Sequence, residues 1–168
     1  MEQHKTKLMT TRNMAKMGIL GAVAGVLMLL EIPLPFAPAF YEIDLSEVAV
    51  FLGTFAMGPV AGIIIEAVKI LVNLVITGTA TAGVGEFANF LIGCCLVVPA
   101  GIIYKRNKNI KNAIIGMVAG ILCMTVAGAL LNYFLLIPVY AKAFGIPVEA
   151  IVEMGTKINP KINSLWDL

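Results

Sequence analysis

The chain has 168 residues, 60% of them hydrophobic and 13% charged, against roughly 25% charged in a soluble domain. A soluble fold of this length leaves much of its surface in water and cannot hide so many apolar side chains, which excludes an ordinary cytosolic enzyme. A formal net charge of +2 leaves no footprint for nucleic acid, and a mean hydropathy of +0.94 reads as an integral membrane protein of one domain, 1–168.

Stretches free of Asp, Glu, Lys and Arg cover 17–30, 48–65, 70–85, 87–104 and 112–141. A helix needs about 20 apolar residues to cross the hydrocarbon. Spans are therefore expected at 14–30, 45–57, 59–77, 84–104 and 112–137, the second one short. Gly58-Pro59 divides what would otherwise be one over-long segment, because proline lacks an N–H and turns the preceding residue away from helix. Period-two alternation is missing, which argues against a lipid-facing barrel. The expected class is an all-α integral membrane bundle.

Basic residues orient it. Lys5, Lys7, Arg12 and Lys16 precede the first span, and Lys105, Arg106, Lys108 and Lys111 follow the fourth, so eight of 12 fall on one side. That side is expected to be cytoplasmic, with the N-terminus inside the cell membrane. A secretory leader cleaved near Ala37-Pro38-Ala39 is an alternative, but it would be long.

Between the first two spans lies an external loop, 31–44. Three prolines within 33–38 stiffen it, and Leu34, Phe36, Phe40 and Tyr41 give it apolar and aromatic faces. A stiff loop loses little entropy on closing over a flat ring; the alternative is an aromatic anchor at the interface.

Ionisable and amide side chains at membrane depth are costly and suggest function. Glu66, Lys69 and Asn73 share one face of span three at spacings of three and four. Glu66 and Lys69 form either a neutralising buried ion pair or a ligand contact. Asn73, Asn89 and Asn132 lie four or five residues from the outer ends of spans three, four and five. At about 1.5 Å per residue that is roughly 6–8 Å below the outer boundary for all three. Glu86 stands at the entrance of span four on the face of Asn89. Amides offer both donors and acceptors, and three of them at one depth suggest an outward-opening pocket; hydrogen bonding between helices is the competing reading.

Other residues argue against chemistry. Cys94, Cys95 and Cys123 lie within spans and read as small apolar fillers, and the single histidine, His4, sits in a charged tail. No catalytic triad, metal-ligand spacing or Walker-type loop is present in the sequence. No catalytic residue, metal or cofactor is expected. Gly18, Ala22 and Gly25 form a small-residue stripe on span one, and Gly116 and Gly120 another on span five, for close helix packing or partner docking.

Several segments then resemble a known family. Met57-Gly-Pro-Val-Ala-Gly62, continuing to Gly78, is similar to a pattern shared by the substrate-binding S components of energy-coupling factor (ECF) vitamin transporters. Pro33-Leu-Pro-Phe-Ala-Pro38, Glu42-Ile-Asp-Leu-Ser46 and Gly83-Val-Gly-Glu-Phe-Ala-Asn-Phe90 resemble the riboflavin-specific type. Asn132-Tyr-Phe, Pro138-Val-Tyr-Ala-Lys142 and Ile158-Asn-Pro160 fit the same type. The resemblance implies a bundle of six spans, five of them visible here, with an external segment at 138–162 and the entrance of a sixth span at 163–168. It implies riboflavin as the transported ligand, with Leu34, Phe36, Ala37 and Tyr41 covering the isoalloxazine. Gly85, Glu86, Asn89 and Asn132 would bond its polar edge or ribityl chain. It also implies a membrane-embedded T component and two cytosolic ATPase subunits as partners within the bilayer. Gly18, Ala22 and Gly25 are the candidate contact with the T component, although the family's Ala-xxx-Ala motif is not literally present. An S component for another vitamin and a scaffold subunit that binds nothing remain as alternatives.

Overall fold

The breaks between helices fall at residues that stop or cap a helix. In the computed structural model, which describes residues 9–30, 32–33, 42–43, 45–79, 83–136 and 138–139, five α-helices follow one another. They are α1 (Thr11–Leu27), α2 (Ser46–Met57), α3 (Pro59–Thr77), α4 (Val84–Arg106) and α5 (Ile110–Leu131). Gly58, at φ 101°, turns α2 into α3, and Pro59 occupies the first position of α3, where a missing N–H costs nothing. Gly78 and Gly83, both with positive φ, bracket the connection to α4. Asn109 caps α5 by accepting the Asn112 N–H at 2.7 Å.

Two ends differ from those expected on charge and hydropathy. α1 finishes at Leu27, because Leu29 and Leu30 bond back three residues, to Val26 and Leu27, and tighten the chain into a turn. α5 gives way at Asn132 to a five-residue π-helical turn, Asn132–Leu136. A two-residue antiparallel ladder pairs Ile32 with Ile43 and Pro33 with Glu42. The strands β1 (Ile32–Pro33) and β2 (Glu42–Ile43) thus join the two ends of the segment between α1 and α2. The ladder end of the bundle is called the mouth below.

Glycine contacts give the helix register. A Cβ on Gly62 would stand 3.3 Å from Val97 Cγ2, one on Gly93 would strike the Glu66 carboxylate, and one on Gly101 would stand 3.0 Å from Pro59 Cα. Each step of four along α3 is therefore matched by four back along α4. Gly21 and Gly25 of α1 seat Val68 and Val72 of α3, so these two helices run parallel. Gly116 and Gly120 bring α5 against the backbone of Ala100 and Leu96. Met17, Ala24, Ala49, Val50, Ala61, Ile65, Leu96 and Val97 form the core where α1 to α4 meet.

Three of the helical stretches, Pro59–Thr77, Val84–Arg106 and Ile110–Leu135, are long and apolar enough to cross a membrane. Large apolar side chains line their exposed faces, among them Leu71, Val75, Ile102, Leu122 and Val126, as expected where lipid is the solvent. Gly120→Ala should cost about 1–3 kcal/mol, because its Cβ meets a main-chain oxygen that cannot swing aside. Gly128 has no neighbour within 4 Å, so Gly128→Ala should hold or raise the melting temperature in detergent. Thermal unfolding of both variants checks the contrast.

Candidate functional site

The lengths of α2 and α3 create the site. They leave Gly58 as an antiparallel pair of 12 and 19 residues. At 1.5 Å per residue α2 stops about 10 Å short of the mouth end of α3. The last two turns of α3 therefore extend beyond the head of α2.

A cluster of three charges lies level with the head of α2. Lys69 Nζ lies 2.6 Å from Glu66 Oε1 and 2.6 Å from Glu47 Oε1. The Lys69 and Glu66 side chains are completely buried, whereas that of Glu47 is 26% exposed. Glu66 and Lys69 sit three apart on α3, and Glu47 reaches them from the first turn of α2. α4 closes over Glu66 through Gly93, where any side chain would collide with the carboxylate, and a Cβ on Gly25 of α1 would stand 3.2 Å from the Lys69 carbonyl oxygen. Four helices thus converge on one ammonium and two carboxylates. Buried charges persist only when paired and hydrogen-bonded.

Amides lie beyond this cluster on α3, α4 and the end of α5. Asn73, one turn beyond Lys69, is buried. Thr77 Oγ1 stands 2.8 Å from its main-chain oxygen and 3.1 Å from its Oδ1, which fixes the amide. The register that sets Glu66 against Gly93 sets Ile70 level with Asn89 and Asn73 level with Glu86. Gly85, Glu86 and Asn89 are half-buried in the first two turns of α4. The Asn89 side chain makes no hydrogen bond to another described residue. Asn132 is half-buried at the first position of the π-helical turn. Continuing the α4–α5 register from Gly116–Ala100 and Gly120–Leu96 brings it level with the start of α4. Short π-helical turns often occur where a helix must re-aim a functional side chain.

The structure therefore unites Glu66 with Lys69, and places Asn73, Gly85, Glu86, Asn89 and Asn132 around the mouth. Leu34, Phe36, Ala37 and Tyr41 lie outside the described residues. The stripe on α1 divides: Gly18 has open space around it and Ala22 is exposed, but Gly25 is buried against Val72. Gly25 is thus a packing residue within the chain and is corrected from the set proposed for partner contact. Glu47 was missed, because it reads as one more acid near the external loop. Its distance from the hairpin turn was the available signal: Glu47 and Lys69 each lie eleven residues from Gly58. A shallow groove of Val68, Leu71, Val72, Val75 and Ile76 runs along α3 but offers no polar partner.

Comparison with known proteins gives consistent results. Residues 12–167 match the family described as ECF transporter, substrate-specific component. The chain is 36% identical over 144 residues to riboflavin transporter RibU of Staphylococcus aureus, covering 86% of this chain and 75% of that protein. It is 33% identical over 133 residues to riboflavin transporter FmnP of Bacillus subtilis, covering 79% and 70%. A solved structure described as the S component of a bacterial ECF transporter superposes with a TM-score of 0.71 at 36% identity. That match covers 88% of this chain and 86% of the other.

Proposed function

Because this chain belongs to the substrate-specific components of ECF transporters, a family of multi-pass membrane transporter subunits rather than enzymes, we propose that its substrate is riboflavin. The observation that carries the reading is its 36% identity to a riboflavin transporter across three quarters of that protein's length. In this reading a recess opens beyond the head of α2, with the charged cluster as its floor, and its chemistry fits. Amides on α3, α4 and the end of α5 supply donors and acceptors for the uracil-like edge and the hydroxyls of a flavin, and none carries a charge that a neutral ring would have to desolvate. In this reading Gly85, Glu86, Asn89 and Asn132 bond the ligand, and Leu34, Phe36, Ala37 and Tyr41 cover its ring. The mouth faces outward and the N-terminus lies in the cytoplasm, in accord with the basic residues of the inner side. A membrane-embedded T component and two cytosolic ATPases supply the energy, and the half-buried Gly18 and exposed Ala22 on α1 are offered as the contact with the T component.

No step breaks or makes a covalent bond. Nanomolar binding needs about 12 kcal/mol, more than a few amide hydrogen bonds contribute, so burial of the ring has to provide much of it. Protein purified in detergent and titrated with riboflavin should melt higher as ligand is added. At a hundredfold excess over Kd, mass action stabilises the fold by about 2.7 kcal/mol. Biotin and thiamine serve as controls. Stabilisation by another vitamin but not by riboflavin would reassign the substrate, and no response to any vitamin would favour a scaffold role.

A further inference from the structure

We propose that Glu47 and Lys69 are positioning residues for ligand binding: their bridge holds the head of α2 at the depth that forms the floor of the recess. The inference rests on the ligand-binding reading above but concerns residues outside the proposed flavin contact set. Three observations converge on it. First, α2 begins without a side-chain cap; its N-cap position is Leu45, which makes no capping hydrogen bond. Its first turn is thus secured to the bundle by other means. Second, the ladder strand β2 ends three residues before α2 begins, so the position of this helix head also bears on the position of the ladder. Third, the two carboxylates on Lys69 are not equivalent: Glu66 is the more deeply buried, so charge neutralisation alone would make Glu66 at least as sensitive to change as Glu47. Glu66 shares its helix with Lys69, so their pairing ties α3 only to itself. Glu47 is 22 residues away on α2, and its pairing is the contact that spans two helices.

This difference yields a test in which one chemical change is made twice against one lysine. Glu47→Gln and Glu66→Gln each remove one carboxylate and each leave Lys69 with one charged partner. If the cluster served only to neutralise charge, Glu66→Gln, at the fully buried carboxylate, would have at least as large an effect as Glu47→Gln. If it positions α2, the order is reversed. A charge-assisted bond is roughly twice as strong as a neutral one, so Glu47→Gln should speed riboflavin dissociation about tenfold, and Glu66→Gln should change it less than twofold. Glu47→Asp, which keeps the charge on a shorter stem, should fall between them and supplies the reading should the glutamine variant fold poorly.

Position is read separately, without ligand. Cys94, Cys95 and Cys123 are replaced by alanine, and spin labels are placed at Leu45, at the head of α2, and at Val75, near the end of α3; both side chains are exposed. Pulsed electron paramagnetic resonance on the full chain then measures the spread of their separation. Glu47→Gln should broaden it, whereas Glu66→Gln should leave it as in the parent. Equal broadening in both variants, broadening in neither, or broadening with no change in dissociation rate overturns the proposal. Should the parent bind no riboflavin, the substrate assignment falls, and the label separation alone decides whether the bridge positions α2.

Discussion

Lys69→Met is expected to abolish folding in detergent or to lower the melting temperature further than any other single substitution in the bundle. Methionine fills a similar volume and suits an apolar environment, so lost packing is a minor part of the cost. The damage comes from Glu66 and Glu47, left facing each other with no cation, one of them in a completely buried position. Removing one partner of a buried charge pair typically costs about 3–5 kcal/mol, and a typical domain has only 5–15 kcal/mol in total. The cost belongs to the orphaned carboxylates, so it should be recoverable. The triple variant Lys69→Met, Glu47→Gln, Glu66→Gln should melt several degrees above Lys69→Met alone, which thermal unfolding and the monodisperse yield on size exclusion would both report. A triple variant no better than Lys69→Met would mean that the lysine stem, rather than its charge, holds the helices.

The second large effect concerns affinity. Asn89→Ala and Asn132→Ala should each weaken riboflavin binding about tenfold, and the double variant about a hundredfold, if each amide gives a hydrogen bond near the upper end of the usual 0.5–1.5 kcal/mol. Quenching of flavin fluorescence during titration would measure this directly. The ligand-free melting temperature should hardly move for Asn89→Ala, because that side chain is half-buried and bonds no other described residue. Loss of affinity without loss of ligand-free stability separates a ligand contact from helix glue. An amide that only tied helices together would give the reverse pattern.

Membrane character and an all-helical bundle were legible in the sequence because both depend on one-dimensional properties. Uncharged stretches mark apolar helices, and Gly58-Pro59 marks a break whatever surrounds it. The family was legible through motifs scattered over most of the chain. What sequence pattern conveyed poorly was contact between elements. Glu66 and Lys69 were visible as neighbours because they share one helix, but the second carboxylate on Lys69 arrives from another helix. Its presence depends on how long α2 is and on the hairpin register about Gly58. Gly25 shows the same limit in reverse. Three small residues in a stripe look alike in sequence, yet helix rotation gives Gly25 to α3, leaves Ala22 exposed and leaves open space beside Gly18. The π-helical turn at Asn132 was likewise not anticipated, since the apolar stretch runs on through it without interruption.

The short second helix has a further consequence, for how far a substrate has to travel. Twelve residues of α-helix extend about 18 Å, against about 30 Å of hydrocarbon. In the proposed reading, a molecule resting above the charged cluster would already have descended through something like two fifths of the bilayer before any energy is spent on moving it. The barrier that remains would then be roughly as thick as α2 is long. A change in helix orientation that exposed the other end of α2 would need to carry its cargo across that distance and no more.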